Sequence, residues 1–259
     1  MATTVRHPSA QPRATGTPMS STRKTALVAG IFYLITFISI PTLALYGPLQ
    51  NHPDWILSSG SHTGILVGGF LEVIVALAGI GTAVTLYPVL KRQHEGLALG
   101  FVTSRLLEGS MIFAGVVSLL SLVTLRQGPD PAGAGTAALV ATGASHVAVY
   151  NSAFLLGQSL MPAINALLLG TLLYRSRLVP RFLPVLGLAG APLLLAADIA
   201  TLFGGIGQHS SWALLGALPV AAWELSLGVW LTVKGFRPAP ITTGPAASGT
   251  PLAERGITV

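Results

Sequence analysis

Glu72, Arg105, Glu108, Asp198 and Glu224 are the strongly ionisable side chains inside the long apolar runs of this chain. Arginine keeps its charge at any physiological pH and offers five donors in a planar fork, so Arg105 must pair with at least one carboxylate. Arg105 and Glu108 lie three residues apart in "FVTSRLLEGSMIFAG" (101–115) and share one helix face. Four acids against one arginine leave three negative charges if all ionise. An isolated charge in hydrocarbon costs about 2.5–3.5 kcal/mol on an insertion scale. The surplus acids must therefore be protonated, hydrated in a cavity or neutralised by a bound cation. Such a set suits a site that binds or moves a proton or small solute. The rival reading is a structural or sensory subunit in which the cluster only holds the helices together.

Amides and imidazoles come next. Asn151, Gln158 and Asn165 fall at intervals of seven, a stripe along one helix face that would be costly against lipid and is expected to point inward. His62, His146 and His209, with Asp198 at similar depth, offer three imidazoles and a carboxylate, a donor set suited to zinc. That is the basis of a weaker reading, a membrane-embedded metal-dependent hydrolase. No catalytic motif of the G-x-x-x-x-G-K-[ST], H-E-x-x-H or G-x-S-x-G kind occurs, and no motif requires a cofactor. "GASH" (143–146) resembles the serine motif of rhomboid proteases, but the sixth apolar run has no histidine to serve Ser145 as a base. The first expectation is therefore a non-enzymatic protein. The chain has no cysteine, which excludes disulfides and thiolate chemistry.

The elements that position these groups follow from composition. Of 259 residues, 51% are hydrophobic and 8% charged, against roughly a quarter charged in a soluble domain. Six apolar segments, about 25–46, 62–90, 97–125, 141–174, 182–204 and 212–233, each exceed the roughly 18 residues that mark a spanning helix. They lack the alternation of barrel strands. The expected fold is an all-α polytopic bundle of six transmembrane helices over residues 23–236. Residues 1–22 and 237–259, rich in Ser, Thr, Pro and Gly, read as disordered tails. The net charge of +6 reads as topology rather than nucleic-acid binding. Lys and Arg gather before the first span, after the second and fourth, and after the last; the intervening loops carry only Arg126. That bias places both termini in the cytoplasm, with the lipid bilayer as partner.

Counting helix rise from the expected span ends puts Glu72, Glu108 and Glu224 about 15, 16 and 18 Å deep, near the midplane, with Asp198 closer to the outer boundary. Gly64, Gly68, Glu72 and Ala76, and likewise Gly216, Val220, Glu224 and Gly228, form ridges at intervals of four that let helices approach closely. Pro41, Pro162, Pro192 and Pro219 lie inside spans and are expected to make local kinks. Tyr46, Trp55, Tyr87, Tyr174 and Trp212 are expected at the membrane interfaces.

Three stretches, "SRLLEGSMIFAG" (104–115), "LLYRSRLVPRFLPVLGLAGA" (172–191) and "PVAAWELSLGVWLTVKGF" (219–236), resemble a bacterial family of multi-pass membrane proteins, domain of unknown function 4386. The resemblance extends over about residues 23–236 and implies an inner (plasma) membrane protein with six to seven spans. It supplies no chemistry, but it places Arg105, Glu108 and Glu224 within the family's recognisable segments.

Overall fold

A computed structural model describes residues 19–52, 54–58, 60–128, 135–239 and 242. Helices α1 (Ser21–Ile35), α2 (Thr42–Leu45) and α3 (Gly47–Asn51) lead into α4 (Thr63–Leu90) and α5 (Glu95–Gln127). There follow α6 (Thr136–Phe154), α7 (Met161–Ser176), α8 (Phe182–Leu202) and α9 (Ser211–Val233). Six stretches are long and apolar enough to cross a membrane: Ser21–Leu45, Thr63–Leu90, Glu95–Gln127, Thr136–Ser176, Phe182–Leu202 and Ser211–Val233. The surface they present is apolar, with Phe70 65% and Phe203 83% exposed, the reverse of a soluble bundle. The protein is a multi-pass membrane protein.

The spans form a ring in chain order. α1 packs on α4, α4 on α5, α5 on α6 and α7, α7 on α8, and α8 on α9. Contact between α9 and α1 closes the ring. Glycines set the closest seams. A Cβ on Gly30 would stand 2.6 Å from the Thr232 amide nitrogen, and one on Gly187 would enter the Trp223 ring at 2.5 Å. Of the two expected ridges, Gly68 meets the Tyr46 ring, Gly216 meets Ala197 and Gly228 meets Tyr33.

Two spans are not regular helices, and the kinks expected at the four prolines divide accordingly. Pro192 and Pro219 sit inside continuous helices. Pro41, by contrast, stands where the first span breaks. Its missing amide leaves the Phe37 carbonyl without a partner four residues on, so that carbonyl accepts from Ile40 at 3.2 Å instead, closing a 3₁₀ turn over Thr36–Ser39. The Thr36 and Thr42 hydroxyls donate to carbonyls three residues back, each at 2.7 Å, and favour the same tightening. In the fourth span α6 passes into α7 through a π-helical stretch, Leu155–Leu160. Pro162 follows directly and offers the Gln158 carbonyl no amide.

The basic loops lie together at one end. Arg23 donates to the carbonyls of Leu231, Thr232 and Val233, capping the C-terminus of α9, and the Arg237 amide donates to the Leu178 carbonyl at 2.7 Å. Most of both expected tails falls outside the described residues. Where the described residues reach into them, Ser21 and Thr22 are helical, and the chain after α9 folds back on the 177–181 loop. The largest apolar core fills the basic half, with Phe101, Leu90, Leu173 and Trp223 among its fully buried members. At the opposite end two expected interfacial aromatics are buried. Tyr46 packs edge-on against Tyr150, and Trp55 lies beneath the Arg126 guanidinium. Arg126 also donates to the carbonyls of Ser58 and Gly60, which ties both to α5. Tyr174 and Trp212 do face outward.

Candidate functional site

Arg105 projects from α5 into the bundle and is 2% exposed. Its Nη1 donates to both Glu108 oxygens at 3.0 Å, one turn along the same helix. Its Nη2 donates to Glu224 Oε1 on α9 at 2.5 Å and to the Tyr33 hydroxyl on α1 at 3.3 Å. Asn165 on α7 donates to Glu108 Oε2 at 2.6 Å. One guanidinium thus collects four spans around two carboxylates, and the Tyr33 and Phe101 rings lie 5.3 and 5.8 Å from it. Charge-assisted bonds to an arginine fork are the strong ones, and this fork meets acceptors on three helices. With both acids ionised the set carries one net negative charge.

A cavity of about 150 Å³ adjoins the triad. Arg105, Glu108 and Glu224 line it together with Gln158 from the π-helical stretch and with Thr36 and Ser39 from the break in the first span. Backbone that leaves regular helix at membrane depth is tolerated where it is enclosed by protein or lines a cavity. Both departures from regular helix, at 36–41 and at 155–160, border this one.

The other acids stand apart from the triad. Glu72 is fully buried on α4; its Oε1 accepts from the Tyr150 hydroxyl at 2.7 Å and from Gln158 at 3.3 Å, while its Oε2 has no partner. Asp198 on α8 accepts from the Ser159 hydroxyl at 2.6 Å through Oδ1, and its Oδ2 has no partner. The structure therefore joins Arg105, Glu108 and Glu224 directly. It reaches Glu72 through Gln158, and it leaves Asp198 in a separate cavity.

Each amide of the stripe holds something different. Asn151 exchanges hydrogen bonds with Gln50 on α3, Gln158 binds Glu72 and Asn165 binds Glu108. The histidines are not brought together. His62 meets Gln127, His146 meets the Ser118 hydroxyl at 3.1 Å, and His209 lies against the Phe154 ring. Among the described residues no group of three or more His, Asp or Glu side chains is placed to hold a metal ion, so the zinc site expected from His62, His146 and His209 does not assemble. They sit on separate walls of the ring, which spacing along the chain does not reveal.

The domain of unknown function (DUF4386) matches residues 28–235. The chain belongs to that family. No curated protein and no solved structure matches it. All the triad ligands of this DUF4386 protein, Tyr33, Arg105, Glu108, Asn165 and Glu224, fall inside the matched segment, as do both breaks in regular helix.

Tyr33, Tyr150 and Ser159 were not apparent as site residues from sequence. A signal was available for Tyr33. A phenol about nine residues into an apolar span must find a hydrogen-bond partner, and an inward arginine is an obvious one. Ser159 carried none, since a serine in a helix usually bonds its own backbone.

The cavities of this DUF4386 protein share walls. That at the triad shares Gln158 with one of about 350 Å³ lined by Asp198 and His209. The latter shares Leu43, Phe154 and His209 with another of about 280 Å³ beside Tyr46 and Gln50. All of this open space lies between the triad and the end that carries the 47–61 and 203–210 segments.

Proposed function

We propose that this protein binds a proton or small solute at the Arg105–Glu108–Glu224 triad and moves it through the chain of cavities leading to the 47–61 and 203–210 end, with no covalent chemistry. The observation that carries this reading is the cavity beside a triad in which two carboxylates share one guanidinium. A set with surplus negative charge accepts a proton or a cation more readily than a balanced pair. The apolar core that fills the basic side favours entry from the cavity end. The Lys and Arg asymmetry puts the basic side in the cytoplasm and suits a bacterial plasma membrane.

A second reading draws on the same bonds. Because the triad, Tyr33 and Asn165 tie four spans together, the cluster has a structural role whether or not anything moves. The two are separated by proton flux. The protein is reconstituted in liposomes containing a trapped pH dye, and a potassium diffusion potential is imposed. The wild type is expected to conduct protons above empty vesicles, and Glu224→Gln and Gln158→Leu to lose most of that flux while remaining folded. Wild-type flux equal to that of empty vesicles, or undiminished flux in both variants, leaves only the structural role.

A further inference from the structure

Asp198 is 6% exposed and holds one oxygen, Oδ2, with no partner. It lies on the wall of the cavity of about 350 Å³ lined by the π-helical stretch, α8, α9 and α2. A buried carboxylate oxygen lacking any donor is costly, and a cavity beside it is where the missing donor belongs. The rest of the lining is mixed. Polar side chains, Ser159, Gln158, Gln208 and His209, share it with apolar ones, Phe154, Leu43 and Leu214. Ser159 fixes Oδ1 at 2.6 Å, which orients the carboxylate and leaves Oδ2 free. Among the described residues no Lys or Arg side chain pairs with Asp198, which leaves room for a counter-charge carried by a ligand.

We propose that this cavity is a binding site for a small organic ammonium ion with an apolar body, its N–H group donating to Asp198 Oδ2 and its body lying against Phe154. The volume lies at the lower end of the range of small-molecule sites and accommodates a single-ring amine. A primary ammonium offers three donors, enough for Asp198 and for the Gln158 or Gln208 amide oxygen. A positive group near an aromatic face gains further. A metal ion is disfavoured because Asp198 and His209 are the lining's only strong metal ligands, and among the described residues no group of three gathers. An anion is excluded by the carboxylate itself. The site goes beyond the proton reading, for it would bind ligand at equilibrium even if the triad moved nothing.

The test is isothermal titration of the full chain in detergent with phenethylammonium chloride, beside 2-phenylethanol as the uncharged counterpart. Phenethylammonium is expected to bind, and the alcohol to bind roughly tenfold more weakly or worse, the difference made by a hydrogen bond to a charged group. Asp198→Asn keeps the side-chain shape and the bond from Ser159, and should lower ammonium affinity by a similar factor. Ala213→Phe fills the cavity without touching the carboxylate and should abolish binding, so the proposal remains testable if Asp198→Asn fails to fold. Equal affinity for amine and alcohol, unchanged affinity in a folded Asp198→Asn, full binding by Ala213→Phe, or no binding by the wild type overturns it. Absence of binding together with Glu224-dependent proton flux would remove this site and leave the triad reading intact.

Discussion

Replacing Arg105 by alanine would leave Glu108 and Glu224 around one cavity with no cation between them. Breaking a buried ion pair by removing one partner costs about 3–5 kcal/mol, because the remaining charge stays buried and uncompensated. Arg105→Ala should therefore lower the unfolding midpoint in detergent more than any other single change at the triad. Combining it with Glu108→Gln and Glu224→Gln should restore a good part of the loss by removing the stranded charge. A triple variant no more stable than Arg105→Ala would show that packing around the guanidinium, not charge, is what the arginine supplies. At this scale the sequence was readable for charge and silent for hydroxyls. Arg105, Glu108 and Glu224 announce themselves because charges are rare in hydrocarbon. Asp198 and Glu72 announce themselves equally, yet take separate partners, Ser159 and Tyr150, whose types are common in any membrane helix.

Elements were legible as spans and not as interruptions. Apolar length alone marks six crossings, but a proline inside an apolar run reads the same whether the helix bends or breaks. Pro41 stands at a break flanked by Thr36 and Thr42, whose hydroxyls bond carbonyls three residues back, whereas Pro192 and Pro219 sit inside continuous helices. The stripe of Asn151, Gln158 and Asn165 presumed an unbroken helix, whereas a π-helical turn interrupts it and the three amides bond three different partners, Gln50, Glu72 and Glu108. The seams between elements carry a sharper prediction. A Cβ on Gly30 would lie 2.6 Å from the Thr232 amide nitrogen and 2.8 Å from the Gly228 carbonyl oxygen, both backbone atoms that cannot turn aside. Gly30→Val should wedge α1 from α9, open the closing seam of the ring, and cost about 1–3 kcal/mol or more. Gly135→Ala, whose Cβ would meet nothing within 4 Å, should melt with the wild type. Equal melting of the two variants would mean that the α1–α9 seam does not hold the ring closed.

The whole molecule has two unlike ends, and which one faces the cytoplasm decides how the cavities are reached. At one end Arg23 caps α9 and the Arg237 amide binds Leu178, so the basic segments form one surface. At the other, Gln50 binds Asn151, Gln208 donates to the Asn151 carbonyl at 3.1 Å, and Arg126 holds Ser58 and Gly60. Positive loops are retained on the cytoplasmic side during insertion, so the basic surface should face inward and the cavity end outward. The absence of native cysteine makes the orientation directly readable. Glu95→Cys lies at the basic end and Gly207→Cys at the cavity end, both at exposed positions. In intact cells with the outer barrier permeabilised, a membrane-impermeant maleimide should label Gly207→Cys. It should reach Glu95→Cys only after the plasma membrane itself is opened. The reverse pattern would turn the cavities toward the cytoplasm, make the dry core an external plug, and reverse the direction from which phenethylammonium or a proton reaches Asp198 and the triad.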